Sequence, residues 1–184
     1  MTGAIDTDTL AALRSGDARA QERFYRQHAP DVLRWVIRLG GPHVHAEDVA
    51  QDVFATALRR VGSFRGESSE RTWLFAITRN VVRNARRRSA LRRFVGLDVV
   101  PEPTDTARGP RELVEAEEER RAVQTALSSL KDAWREAIVL VDLEGYTARE
   151  AGEMLDVPEG TVSSRLHHGR KAFAVALEKQ GIRR

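Results

Sequence analysis

The sequence predicts an all-helical protein built from two small helical units, and three observations carry that expectation. Apolar residues recur at helical spacing along almost the whole chain, no stretch alternates with period two, and the periodicity lapses between Gly96 and Pro110. In that gap Pro101, Pro103, Gly109 and Pro110 sit among acids, a composition that buries little. The expected organisation is a helical bundle over residues 1–95, a flexible acidic linker over 96–113 and a second helical unit over 114–184. A chain of 184 residues suits one domain or two small ones, and a hydrophobic fraction of 41% supports cores of modest size.

Within the first unit, Gly40-Gly41-Pro42 breaks one helical region and the glycine- and serine-containing stretch from Gly62 to Ser69 breaks the next, which leaves three or four helices before residue 95. From Ala46 to Val61 the residues Val49, Val53, Ala57 and Val61 form an apolar stripe, with Asp48, Gln51 and Asp52 together on the opposite side. A helix from about Glu70 to Arg88, capped by Ser68 or Ser69, buries Leu74, Ile77, Val81 and Ala85. Its other side carries Thr72, Arg79, Asn80, Arg83, Arg86 and Arg87, cations spaced to meet phosphates. Trp73, at the start of a buried stripe, reads as core rather than as a stacking platform.

In the second unit, Val114 to Leu130 reads as one helix with Glu115, Glu117, Glu118 and Glu119 in its first turns, where the helix dipole favours negative charge. From Thr147 to Phe173 the chain has the form of a helix-turn-helix. Thr147 and Glu150 make a capping box, the first helix begins near Ala148, and Asp156-Val157-Pro158 forms the tight turn with proline at a helix start. In the second helix Val162, Leu166, Phe173 and Leu177 face inward. Its polar side presents Thr161, Ser163, Ser164, His167, His168 and Lys171, flanked by Arg165 and Arg170, groups able to reach base edges or phosphates from a major groove.

Composition excludes several classes of function. With 30 Lys+Arg against 27 Asp+Glu the net charge of +3 is too small to indicate nucleic acid by itself, but the arginines cluster between Arg79 and Arg93 and the acids between Asp98 and Glu119. The absence of cysteine rules out disulfides, thiol redox chemistry and cysteine-ligated metals. No apolar run approaches the roughly 20 residues that span a bilayer, and Met1 to Thr9 lacks the basic start and apolar stretch of a signal peptide, so a cytoplasmic protein without membrane insertion is expected. The five histidines and the acids form no metal-ligand spacing, and no phosphate-binding glycine loop is present, so no catalytic residue, metal or cofactor is assigned and an enzyme is not expected. His167 and His168 point about 100° apart on a helix and are poorly placed to hold one ion.

Two stretches resemble a known family. Ala46 to Arg88, AEDVAQDVFATALRRVGSFRGESSERTWLFAITRNVVRNARRR, is similar to region 2 of the extracytoplasmic-function (ECF) sigma factors of bacterial RNA polymerase, and Leu127 to Phe173 is similar to their region 4. The resemblance implies an alternative-sigma initiation factor that binds core RNA polymerase and directs it to promoter DNA. Asp48, Gln51 and Asp52 would dock on the clamp helices of the largest subunit. Phe64, Arg65, Ser68, Arg79, Asn80, Arg83, Arg86 and Arg87 would capture the melted minus-10 element, where an unstacked base needs hydrogen bonds and stacking. The helix-turn-helix would read minus-35 duplex through Thr161 to Lys171, and the second-largest subunit's flap and an anti-sigma factor are further implied partners. The acidic linker is either a solvated tether or, as in the family, an insert in the polymerase channel.

Three departures set the chain apart from that pattern. Ala151 and Gly152 stand where the family commonly has a large aliphatic and an alanine, which should loosen the first helix of the motif by about 1 kcal/mol. Ser163 and His168 replace frequent basic residues, and Gly169 replaces a usual alanine. The rival reading is a free-standing helix-turn-helix repressor or activator, which would bind its operator without polymerase.

Overall fold

The computed structural model describes residues 7–66, 68–96 and 111–181, and all the regular structure among them is helical. Four helices precede the acidic stretch: α1 (Thr7–Arg14), α2 (Ala18–Gly40), α3 (Ala46–Arg60) and α4 (Glu70–Phe94). Four follow it: α5 (Arg111–Ser129), α6 (Asp132–Ile138), α7 (Ala148–Leu155) and α8 (Glu159–Lys179). The linker expected over 96–113 lies for the most part outside the described residues, and α5 begins three residues before the predicted Val114.

Local chemistry sets most of the boundaries. The Asp17 carboxylate accepts from the Ala20 amide at 2.7 Å and starts α2, and the Ser69 hydroxyl accepts from the Thr72 amide at 3.1 Å and starts α4. α2 ends at Gly41, whose φ of 79° lies in the left-handed region. A second constraint acts there, because a Cβ on Gly41 would lie 2.7 Å from Ser128 Cβ at the end of α5. After Ile138 the chain widens into a π-helical turn, Val139–Leu143, and the amides of Glu144 and Tyr146 donate back to Val139 and Leu140.

The predicted stripe of α3 is inside: Val49, Val53, Ala57 and the adjacent Val61 are buried, joined by Phe54. In α4 the buried face is Leu74, Phe75, Ile77, Thr78, Val82, Ala85 and Ser89. Val81, expected inside, is half-buried, because α4 packs against both α2 and α3 and so buries a wider sector than one stripe. The two buried hydroxyls are satisfied, Thr78 by Leu74 O at 2.8 Å and Ser89 by His43 O at 3.1 Å. Trp35, fully buried, meets Phe75 edge to face at 5.2 Å, and Trp73 is half-buried with its ring 4.9 Å from that of Phe64.

The two halves are not separate beads on a tether. Leu39, Val36 and Ile77 from the first half and Leu127, Ile138, Leu140, Met154 and Val162 from the second belong to one contiguous apolar cluster. Sequence periodicity reports which face of a helix is apolar, not which neighbour covers it, so this docking was invisible to it.

The helix-turn-helix forms with its capping box intact: the Glu150 amide donates to Thr147 Oγ1 at 3.2 Å and the Thr147 amide donates to Glu150 Oε2 at 2.8 Å. Pro158 is the residue before α8 rather than its first residue, and Asp156 takes the left-handed conformation at φ 55°. Gly152 corrects the expectation of a loosened helix. It is buried, and a Cβ on it would sit 2.8 Å from Val157 O and 3.5 Å from Glu159 N, so glycine is what lets the turn fold back on α7. Gly169 does the same for α8 against α6, where a Cβ would lie 3.0 Å from Ile138 Cδ1 and 3.2 Å from Trp134 Cβ.

Restoring the family's alanine by Gly152→Ala should therefore destabilise the protein despite alanine's better helix propensity. Backbone must move to make room, at about 1–3 kcal/mol, and melting followed by circular dichroism should show Tm fall by roughly 3–10 °C. An unchanged or raised Tm would mean that the turn accommodates a methyl group.

Candidate nucleic-acid interface

The basic face of α4 starts from the serine cap and runs toward the C-terminal end of α2. Asn80 and Arg87 are exposed on it, as the sequence predicts, and so are Ser68 and Arg65 before it. Phe64 is not: its ring is 4% exposed and packs on Trp73, so in this conformation it is part of the core, because a phenyl ring at the base of a short loop gains more from burial than from display. Thr72, expected on the outside, is half-buried beside the Ser69 cap.

Arg79, Arg83 and Arg86, also expected outside, are half-buried because the second half of the chain covers them. Arg83 Nη2 donates to Glu136 Oε1 at 3.1 Å, Arg83 Nε lies 3.7 Å from Asp132 Oδ2, and Arg79 Nη1 is 3.5 Å from Glu136 Oε2. Arg86 donates through Nη1 to Leu39 O at 3.1 Å and through Nη2 to Ser128 O at 2.9 Å. Buried Arg135 approaches the same two oxygens, each at 3.2 Å, and also donates to Leu127 O at 2.7 Å and Leu130 O at 2.5 Å. Burial, and then the neighbouring Arg86 charge, push the Arg135 pKa down to about 10.

Burial also raises the pKa of the Glu136 carboxyl, and Arg79 and Arg83 only partly offset that. A carboxyl raised in the folded state contributes its full stability below its unfolded pKa and loses it as pH rises through the raised value. Burial therefore makes the charged form of Glu136 the costly one, and its contribution to stability falls as pH rises through that raised value.

A second set of ties joins α2 to the turn before α7. The Glu144 side chain is 3% exposed, and it accepts from Arg34 Nε at 3.1 Å and from Arg38 Nη1 at 2.5 Å. Arg38 Nη1 also donates to Leu143 O at 3.0 Å. Arg34 in turn pairs with Asp31, and Asp31 with Arg71 Nε at 2.9 Å. The Arg71 guanidinium lies 5.6 Å from the centroid of the Tyr146 ring.

The two remaining predicted surfaces face solvent. Asp48, Gln51 and Asp52 are exposed on α3, with Asp52 only 3.7 Å from Arg88. On α8, Ser163, Ser164, His167, His168, Arg170 and Lys171 are exposed, Thr161 and Arg165 half-buried, and Val162 and Leu166 buried; Phe173 and Leu177, expected inside, are half-buried. Two of the exposed groups are already engaged, since Arg170 makes a two-pronged pair with Asp142 at 2.6 and 3.0 Å and His168 stacks 6.0 Å from the Trp134 ring.

Sequence reasoning missed Arg135, Glu136, Glu144, Arg34 and Arg38. One signal was available, because Arg135 and Glu136 interrupt an otherwise apolar run from Trp134 to Leu140. Charges inside such a run are expected to be buried and paired. Nothing local could have named their partners.

Comparison with known proteins points to the sigma-70 factors. Residues 24–92 match sigma-70 region 2, and residues 120–173 match the family described as sigma-70, region 4. The ECF RNA polymerase sigma factor SigM of Mycobacterium tuberculosis is 34% identical over 173 residues, covering 94% of this chain and 84% of its own length. The RNA polymerase sigma-H factor of Pseudomonas aeruginosa is 30% identical over 190 residues, covering 97% of this chain and 96% of its own. Among solved structures, CnrH in complex with the cytosolic domain of CnrY superposes with a TM-score of 0.67 at 25% identity, covering 95% of this chain and 97% of that one. The sigma factor RpoE in complex with the anti-sigma factor NepR from Bartonella quintana superposes at 0.62 with 26% identity, covering 85% and 96%.

The geometry makes Glu144 a test of what holds the halves together. Glu144→Gln leaves two arginines without their shared carboxylate, and because those arginines are 27% and 38% exposed the loss is about 1–2 kcal/mol rather than that of a fully buried pair. The variant should show a larger radius of gyration by small-angle scattering with its helix content unchanged. Identical scattering from variant and wild type would mean that the apolar cluster and the remaining polar ties hold the halves together without Glu144.

Proposed function

The chain belongs to the ECF sigma factors of bacterial RNA polymerase, and we propose how its two helical units divide the work of directing the polymerase to promoters. It is an initiation factor, not an enzyme. In the proposal, residues 1–95 hold the polymerase clamp and the melted minus-10 strand, residues 114–184 read the minus-35 duplex, and 96–113 connect them. Asp48, Gln51 and Asp52 meet the clamp helices. The apolar groove between α5 and α8, with Val175 52% exposed at its edge, receives the flap. The protein acts in the cytoplasm, and no helix among the described residues is long and apolar enough to cross a membrane.

One observation carries this reading further. Elements centred 10 and 35 base pairs from the start site are separated by about 85 Å of B-form duplex at 3.4 Å per pair. A compact chain of this length has a radius of gyration of only about 16 Å. The docked arrangement cannot touch both elements, so the halves separate on the polymerase, and the stretch between Phe94 and Arg111 reaches at most about 55 Å when extended. Separation releases Arg79 and Arg83 from Glu136 and frees Arg86, which then join Asn80 and Arg87 on the DNA. An anti-sigma factor that prefers the docked arrangement would hold the protein inactive, and the relative RpoE was captured with one.

On α8 the groove-facing groups are hydroxyls and imidazoles instead of the arginine forks that read guanine for about 1–3 kcal/mol each. Arg170 is occupied by Asp142, so phosphate anchoring falls chiefly to Lys171 and Arg165. Minus-35 recognition is accordingly soft, and selectivity rests on the minus-10 element.

Run-off transcription with purified core polymerase tests the function. Promoter-specific transcripts are expected only when this protein is added, and the double variant Asp48→Lys, Asp52→Lys should lose polymerase capture while keeping its helix content. Capture equal to wild type would return these acids to an ordinary solvated face.

Salt dependence tests the basic face. Replacing Arg87 or Arg83 by alanine should weaken open-complex formation on all promoters alike and reduce the slope of log K against log salt by about 0.7 to 0.9 for each phosphate no longer neutralised. Selective failure on one promoter sequence at constant slope would point to base reading instead.

A further inference from the structure

Two supports hold the ends of the loop that leads into α4. At its entry Arg14, the last residue of α1, donates through Nη2 to Phe64 O at 2.8 Å, and its Nε lies 3.5 Å from Val61 O. At its exit His28 of α2, 5% exposed, bonds through Nε2 to Oε2 of Glu70 at 2.5 Å. Glu70 is the first residue of α4.

Stability does not account for this second contact. A glutamate in the first turn of a helix gains from the dipole while remaining in water, yet the Glu70 side chain is only 12% exposed. Desolvating an ionisable pair commonly costs as much as it returns, whereas a buried directional contact of this kind fixes position. The Glu70 backbone also follows directly on Ser69, whose hydroxyl caps α4. A bond that fixes Glu70 therefore fixes the residue from which the loop leaves. The Arg14 contact is equally directional: it grips backbone carbonyls, whose positions do not depend on the side chains that the loop displays.

We infer that Arg14 and His28 are positioning residues for minus-10 recognition: they clamp the entry and exit of the loop that carries Arg65 and Ser68, and so set the pose from which an unstacked base is held. This rests on the reading of that loop as the minus-10 reader. Neither residue touches DNA. Their effect passes through Phe64 O, Val61 O and Glu70, and a pocket for a flipped base tolerates displacements of only about half an ångström.

The test uses holoenzymes containing full-length wild type, His28→Ala, His28→Gln, Arg14→Ala or Arg14→Lys, transcribing one library randomised in the minus-10 element and another in the minus-35 element. Both alanine variants should flatten the minus-10 preference by roughly three- to tenfold, with the minus-35 profile and polymerase capture unchanged. His28→Gln, whose amide can place a donor near the imidazole Nε2, should restore most of the preference, and Arg14→Lys part of it. If His28→Ala fails to fold, Arg14→Ala decides, since it truncates an exposed side chain. A wild-type minus-10 profile in the folded alanine variants would overturn the proposal, as would a uniform loss on both libraries that glutamine and lysine do not rescue. If wild type itself shows no minus-10 preference, the assignment of the loop fails first and takes the proposal with it.

Discussion

Two guanidiniums share two backbone carbonyls, and the docked architecture depends on that junction. Arg86 from the first half and Arg135 from the second both donate to Leu39 O, near the end of α2, and to Ser128 O, near the end of α5. The C-terminal ends of helices carry partial negative charge and unpaired carbonyls. Two helix ends brought together therefore form a site that satisfies two like-charged groups at once. The close approach needs Gly41, which has no Cβ to strike Ser128, and it brings α6 within reach of the long side chains of α4, so that Glu136 meets Arg79 and Arg83.

In the proposed function the same cations have two sets of partners, the carboxylates and carbonyls they meet within the chain and phosphates on DNA, and each set would exclude the other. The arginines of these pairs are partly exposed while their carboxylates are nearly buried, so the Coulombic gain of each pair is largely offset by desolvation, whereas in the proposed function a polymerase offers two large docking surfaces. Weak internal pairing suits the proposed separation of the halves on the polymerase. The apolar cluster shared by the halves sets the remaining cost of opening.

What the sequence made legible was local. The capping box at Thr147, the stripe of α3, the serine cap of α4 and the polar face of α8 are all decided within a few residues, and each was read correctly. What it hid was the choice of neighbour. Arg79, Arg83 and Arg86 read as solvent-facing because a helix shows its own period and not what lies against it. Gly152 read as a weakness because its helix propensity is visible and the Val157 carbonyl 2.8 Å away from its absent Cβ is not. Phe64 lay in a loop rich in small polar residues, and nothing near it announced that Trp73 would cover it.

The π-helical turn at Val139–Leu143 has a consequence for how the chain tolerates changes in length. The wide turn lets Leu143 O and Glu144 face α2, where Arg34 and Arg38 take them up. Removing one residue there would rotate everything downstream by about 100° relative to α2, carrying α8 out of phase with its anchor. The stretch between α4 and α5 bears no such phase relation in its sequence, only a reach. Over evolutionary time, insertions and deletions should accumulate in that stretch and be purged from the turn, so the spacing from Val139 to Lys171 acts as a fixed gauge length while the distance between the two halves drifts.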